Sequence, residues 1–147
     1  MSLLSNALGQ GSIILGATAN NWEEAVRLAG DGLVASGRTT SKYTDDMVTA
    51  IKELGPYIVI APGLAMPHTR PSESVLETGL SLVVLTEPVT FGHQKNDPVQ
   101  VLFGLAALDH DRHLELLSEF AAFAGEPNFI NSLLSCSSTS EIRDLIN

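Results

Sequence analysis

Two nearly continuous apolar runs, Leu80–Leu85 and Val99–Leu108, constrain this chain more than any other feature. A strand that is apolar on both faces must be covered on both faces. Both runs therefore read as interior strands, the second with Gly104 inside it. Ile13-Ile14-Leu15 and the β-branched Tyr57-Ile58-Val59-Ile60 are shorter strand candidates. The segments between them predict the covering helices. Asn20, with Glu23 three residues on, reads as a capping box, and Trp22, Val26, Ala29 and Leu33 follow at helical spacing up to Gly37. A helix from Thr40 to Leu54 places Tyr43, Met47, Ala50 and Leu54 on one face and stops at Gly55-Pro56. A helix over 111–124, capped by Asp109 or Asp111, carries Leu114, Leu117, Ala121 and Ala124. Ser138 and Glu141 form a capping box before a last short helix with Ile142, Leu145 and Ile146. Helices alternating with buried strands imply an α/β architecture, a mixed sheet covered by helices. The length of 147 residues and the 44% hydrophobic content fit one domain over 1–147.

Several function classes drop out early. A formal charge of −9 repels a phosphate backbone, so nucleic acid is not an expected partner. No apolar run is long enough to span a bilayer, and the N-terminus lacks the basic-then-apolar pattern of a signal peptide. The single cysteine, Cys136, excludes an internal disulfide and reads as an inert small residue among serines. The Walker-type phosphate loop, the dinucleotide fingerprint, the nucleophile elbow and the H-E-x-x-H zinc motif are all missing.

Four histidines remain. His68 stands in Ala65-Met66-Pro67-His68-Thr69-Arg70-Pro71, where prolines on both sides restrict the backbone around the imidazole. A restricted loop suits a group that is presented to a large partner. A neutral imidazole is nucleophilic near pH 7, and Arg70 has the forked guanidinium that binds phosphoryl oxygens. On spacing alone, a loop imidazole packed for structure fits His68 at least as well. His113, in the first turn of the predicted 111–124 helix, lies where free backbone N–H groups favour an anion, and a solvated capping-region histidine is its plainer reading. His110 and His113 with Asp109 and Asp111 are a weak metal pattern, since a metal needs three or four ligands in fixed geometry and these lie at a turn. His93 reads as a solvated loop residue.

Gly55-Pro56-Tyr57 and the stretch Ala61-Pro62-Gly63-Leu64-Ala65-Met66-Pro67-His68-Thr69-Arg70-Pro71 resemble the enzyme IIA proteins of the bacterial sugar phosphotransferase system, mannitol/fructose class. Thr78-Gly79-Leu80-Ser81-Leu82, Val89 to Phe91, Asn96-Asp97-Pro98-Val99 and Leu105-Ala106-Ala107 through His113 keep that family's order. The likeness covers residues 12 to 146 and is strongest to the ascorbate-specific branch. It implies a mixed sheet of about five strands flanked by helices on both faces. It also implies a cytoplasmic phosphotransferase: phosphorylated HPr gives its phosphoryl group to the IIA histidine, which passes it to a cysteine of a cognate IIB protein. IIB then phosphorylates the sugar as the membrane IIC component imports it, and no metal or other cofactor is needed. By the resemblance, His68 is the phosphoryl acceptor and His113 the second active-site histidine. Mannitol-type members carry an arginine sixteen residues before the acceptor, a position held here by Lys52. Lysine keeps the charge and loses the fork, so Arg70 is expected to stabilise the phosphate, with Lys52 as the alternative donor. A regulatory protein whose phosphorylation state controls binding to other proteins is the competing function. Oligomeric state, the reactive ring nitrogen and the sugar itself are not read from the residues.

Overall fold

A computed structural model describes residues 3–146; Met1, Ser2 and Asn147, the ends of the expected 1–147 domain, lie outside the described residues. The elements are α1 (Leu3–Ala7), β1 (Leu8–Ala17), α2 (Trp22–Ala35), α3 (Ser41–Leu54), β2 (Val59–Ala61), β3 (Leu64–Ala65), β4 (Gly79–Val89), β5 (Val99–Ala106), α4 (His110–Ala124), α5 (Phe129–Ser135) and α6 (Thr139–Ile146). The strands form one five-stranded sheet in the order β1-β4-β5-β3-β2. β1 pairs parallel with β4, β4 antiparallel with β5, β5 parallel with β3, and β3 antiparallel with β2. The two apolar runs supply β4 and β5, which lie inside the sheet; β5 ends at Ala106, and Leu108 at the end of the second run is 52% exposed.

Each face has its own core. Leu80, Leu82, Val101, Phe103 and Leu105 pack with Leu116, Phe120, Phe129, Leu133, Ile142 and Ile146 from α4, α5 and α6. Val83, Leu85 and Leu102 pack on the other side with Ala25, Val26, Ala29, Leu33, Tyr43 and Met47 from α2 and α3. Ser81 in β4 is fully buried, and its hydroxyl donates to the Ala29 carbonyl at 2.7 Å, which satisfies a polar group inside the core. Gly104 lies opposite Ser81 in β5. A Cβ there would collide with Ser81 Oγ and come within 3.2 Å of Ala29 Cβ, so the glycine is what lets α2 approach the sheet. Gly104→Ala is expected to destabilise the fold by about 1–3 kcal/mol, read as a lower urea midpoint.

Three expected registers are corrected. The cap of α2 is Asn21, one residue later than Asn20: its side chain accepts from Glu24 N at 2.9 Å, and Glu24 Oε1 accepts from Asn20 N at 3.1 Å. Two adjacent asparagines allow either register, and the extended backbone of Asn21 decides between them. In α3, Tyr43 and Met47 are buried together with Val48 and Ile51, whereas Leu54 is 71% exposed and Ala50 only half-buried. In α4, Leu116 and Phe120 are the buried residues, while Leu114 is 50% exposed and Ala121 also faces solvent. Phe120 sets that rotation by packing edge-on against Phe103, with ring centroids 4.8 Å apart. The short helices α1 and α5 carry too few residues to show a period of their own. Of the Ser138–Glu141 box one half forms, with Glu141 N donating to Ser138 Oγ at 3.2 Å, while the Glu141 carboxylate accepts from Ser137 N at 3.1 Å, one residue earlier than expected.

Candidate active site

The site forms where the ends of the central strands meet the ends of α3 and α4. Gly55 caps α3 with φ of +87°, a conformation that favours glycine, and the chain then turns through Pro56 and Tyr57. β2 and β3 follow, and the proline-flanked loop leaves β3 at Met66. Hydrogen bonds fix that loop at successive residues. Met66 N donates to Ile58 O at 2.8 Å, Leu105 N to Pro67 O at 2.9 Å, and Thr69 N to the Tyr43 hydroxyl at 3.1 Å. The Tyr43 hydroxyl donates to Leu105 O at 2.7 Å, and burial pushes its pKa up to about 12, so it stays protonated and keeps donating.

His68, Arg70 and His113, three separate candidates in the sequence, line one open groove of about 610 Å³. Ala50, Leu54, Tyr57, Thr69, Pro71 and His110 complete it. The exposed Leu54 and half-buried Ala50 of α3 thus belong to the groove wall rather than to the core. The His68 and His113 rings are 5.3 Å apart between centroids. His68 Nδ1 lies 2.6 Å from the Met66 carbonyl oxygen. A carbonyl only accepts, so Nδ1 carries the proton, and the lone pair of the neutral ring is on Nε2. Burial lowers the His68 pKa below 6.5, against the opposing pull of the Met66 carbonyl, so the ring is mainly neutral at pH 7.

His113 comes from the first turn of α4, where Asp109 caps the helix by accepting from Arg112 N at 2.8 Å. Its pKa is also lowered, first by burial and then by the neighbouring charges of His68 and His110. Its Nδ1 is buried with no hydrogen-bond partner among the described residues, so nothing there fixes its tautomer. Arg70 is exposed, with no hydrogen-bond or ion-pair partner among the described residues, and its charge is available to the groove. Lys52 does not line the groove; its Nζ is 3.3 Å from Glu23 Oε1. The one-residue shift of the α2 cap explains that contact, because Glu24 serves the cap and leaves Glu23 free for Lys52 and Arg27.

His93 lies outside the groove and is not simply solvated. Its Nδ1 accepts from the amides of Lys95 at 3.2 Å and Asn96 at 3.1 Å, while the Asp97 carboxylate accepts from those of Phe91, Gly92 and His93. Cys136 packs against the α4–α6 side, with Sγ donating to Ser132 O at 3.3 Å, and burial raises its pKa. Among the described residues, no three His, Cys, Asp or Glu side chains are grouped to hold a metal ion. Sequence reasoning missed Tyr57 and His110 as groove residues. Tyr57 stands beside β-branched neighbours that suggest a strand, and the local pattern around His110 suggests only a weak metal site.

The two depressed imidazoles link stability to pH. Unfolded histidines titrate near 6.5, above the folded values, so the unfolded chain binds more protons in between. Their contribution is full above about pH 6.5 and is lost as pH falls through the folded values. The urea midpoint should therefore drop more between pH 8 and pH 5.5 in the native protein than in a His68→Gln/His113→Gln variant. Equal drops would show that other groups carry the acid sensitivity.

Comparison with known proteins places this geometry in context. Residues 7–147 match the family described as phosphoenolpyruvate-dependent sugar phosphotransferase system, EIIA 2. A relative from Salmonella choleraesuis (strain SC-B67), named ascorbate-specific PTS system EIIA component, is 43% identical over 99% of this chain and 96% of its own. The solution structure of the mannitol-specific cryptic phosphotransferase enzyme IIA from Escherichia coli is 31% identical with a TM-score of 0.87, covering 99% of this chain and 98% of that one. The enzyme IIA chain in the Escherichia coli mannitol complex with phosphorylated enzyme IIB is 28% identical with a TM-score of 0.82, covering 95% and 96%.

Proposed function

The chain belongs to the EIIA 2 family of the phosphoenolpyruvate-dependent sugar phosphotransferase system, and from that membership we propose that His68 Nε2 is the atom that carries the phosphoryl group. The observation behind this reading is the 2.6 Å contact between His68 Nδ1 and the Met66 carbonyl, which puts the free lone pair on Nε2. Nε2 attacks the phosphorus of phosphorylated HPr in line; the Nε2–P bond forms as the bond to the donor imidazole breaks. The ring gains positive character, and the Met66 carbonyl stabilises it through the Nδ1–H. A IIB thiolate then attacks the same phosphorus, and the Nε2–P bond breaks in turn. Arg70 and His113 line the same groove as His68 and would hold the charge of the phosphoryl oxygens, so catalysis is positioning plus electrostatics. The apolar wall of Ala50, Leu54, Tyr57 and Pro71 helps a docked partner exclude water. The scheme uses no metal or cofactor.

A IIB acceptor is supported by the related IIA bound to phosphorylated IIB. Ascorbate as the transported sugar is supported by the names of relatives at 43% identity. This chain does not itself handle the sugar, which reaches the membrane IIC component. Among the described residues no helix is long and apolar enough to cross a membrane. A protein that exchanges phosphoryl groups with HPr and IIB would work in the cytoplasm. The reading is tested with enzyme I, HPr and labelled phosphoenolpyruvate, followed by purified IIB of the ascorbate or mannitol type. Acid-labile, base-stable label should appear on the protein and leave for the ascorbate-type IIB at least about ten-fold faster, a difference set by partner recognition. Absence of label would end the carrier reading, and equal transfer would end the ascorbate assignment.

A further inference from the structure

The His68 loop has one anchor that the chemistry above leaves unused. The Tyr57 hydroxyl donates to the main-chain carbonyl of His68 at 2.8 Å. The same phenol ring stands edge-on to the imidazole, with centroids 5.7 Å apart and planes at 83°. The other loop anchors act on Met66, Pro67 and Thr69. His68 itself is held by the Tyr57 bond to its carbonyl and by the Met66 bond to its Nδ1. Tyr57 is 39% exposed at the groove wall, and burial raises its pKa, so the hydroxyl remains a donor.

Resting on the carrier reading of His68, we propose that Tyr57 is a positioning residue for phosphoryl transfer: its hydroxyl pins the His68 main chain while its ring edge limits how the imidazole turns. The two contacts act on different parts of His68. One fixes where Cα sits, and the other restricts rotation of the ring about its bond to Cβ. Together with the Met66 carbonyl they leave Nε2 one direction of presentation. An in-line displacement is sensitive to that direction, because a misplacement of about 1 Å can cost 10²-fold in rate. Tyr57 itself exchanges no proton with the reacting atoms in this scheme. Its part is exerted through His68, so phosphoryl transfer should slow while the affinity for the donor protein stays the same.

Tyr57→Phe removes only the hydroxyl, and Tyr57→Leu removes the ring edge as well. Single-turnover transfer from phosphorylated HPr should slow by about ten-fold in Tyr57→Phe, with the concentration of HPr at half-maximal rate unchanged because the ring stays in the groove wall, and should slow further in Tyr57→Leu. Nitrogen-15 spectra of the unphosphorylated protein give a second, independent readout. The His68 Nδ1–H signal should be sharp and slowly exchanging in the native protein and broadened in both variants, at temperatures well below unfolding. Full-rate transfer together with an unchanged His68 signal in Tyr57→Phe would overturn the proposal. A slowed rate with an unchanged His68 signal would also overturn it, because the loss would then come from partner contact. If the native protein takes no label, the carrier reading fails, whereas the His68 signal still decides whether Tyr57 orders that ring.

Discussion

Alanine at position 68 is expected to abolish phosphoryl acceptance, a loss on the order of 10⁴-fold or more, because no other group takes over the nucleophile's part. His113 is the nearest candidate substitute, with its ring 5.3 Å away, but it lacks the carbonyl that fixes the proton of His68 on Nδ1. The variant should fold. The Tyr57 bond goes to the main-chain carbonyl of residue 68, and the neighbouring anchors at Met66, Pro67 and Thr69 do not use the imidazole. Removing a partly buried, desolvated ring should leave thermal stability close to native. Labelling with enzyme I, HPr and labelled phosphoenolpyruvate, with acid and base treatment of the product, gives the measurement. Equal acid-labile, base-stable label on the native and His68→Ala proteins would show that the carrier is elsewhere. The depressed pKa adds a pH signature. Acceptance should stay near its full rate as pH falls below 6.5 and decline only as the lower His68 value is approached, since protonation removes the Nε2 lone pair.

The sequence makes the central layer of the fold readable because burial on both faces leaves a mark that tertiary context does not override. Leu80–Leu85 and Val99–Leu108 read as interior strands, and they supply β4 and β5, the second ending at Ala106. Helix registers are less legible because alternatives differ by one residue and are chosen by packing. Asn20 and Asn21 are equivalent caps until the backbone selects Asn21, and that choice releases Glu23 to hold Lys52 outside the groove. Half of the expected α4 stripe, Leu117 and Ala124, packs on the core, whereas Leu114 and Ala121 are apolar yet outward, because Phe120 packs on Phe103 and sets the rotation of the helix. The site shows the same division. Pro67, Pro71 and Arg70 single out His68 as a candidate within a few residues, but spacing alone fits a packed loop imidazole at least as well, and the family resemblance is what favours the carrier reading. The tautomer does not appear in any pattern, because it depends on where one backbone oxygen, that of Met66, comes to lie. Tyr57 is eleven residues from His68 and reaches it only through the turn after α3, so no local period links them.

His113→Ala is expected to leave phosphoryl acceptance measurable and to slow delivery to IIB by about 10²-fold, the usual cost of removing one donor from a developing anion. Before transfer, burial and neighbouring imidazole charge hold His113 mainly neutral. A phosphoryl group on His68 reverses that balance, because a dianion close by favours the charged form of the neighbouring ring. Its proton is not committed by any partner at Nδ1 among the described residues, so it can sit on Nε2 and donate to a phosphoryl oxygen. The group is therefore a better donor after acceptance than before, and its loss should fall mainly on the second transfer. Two measurements separate this from a packing effect. The His113 ring should titrate at higher pH in the phosphorylated native protein than in the unphosphorylated one, and His113→Gln, which keeps an N–H donor but cannot charge, should transfer at a rate between alanine and native. Native-speed delivery to IIB by the alanine variant would remove His113 from the mechanism and leave Arg70 as the groove's main positive donor.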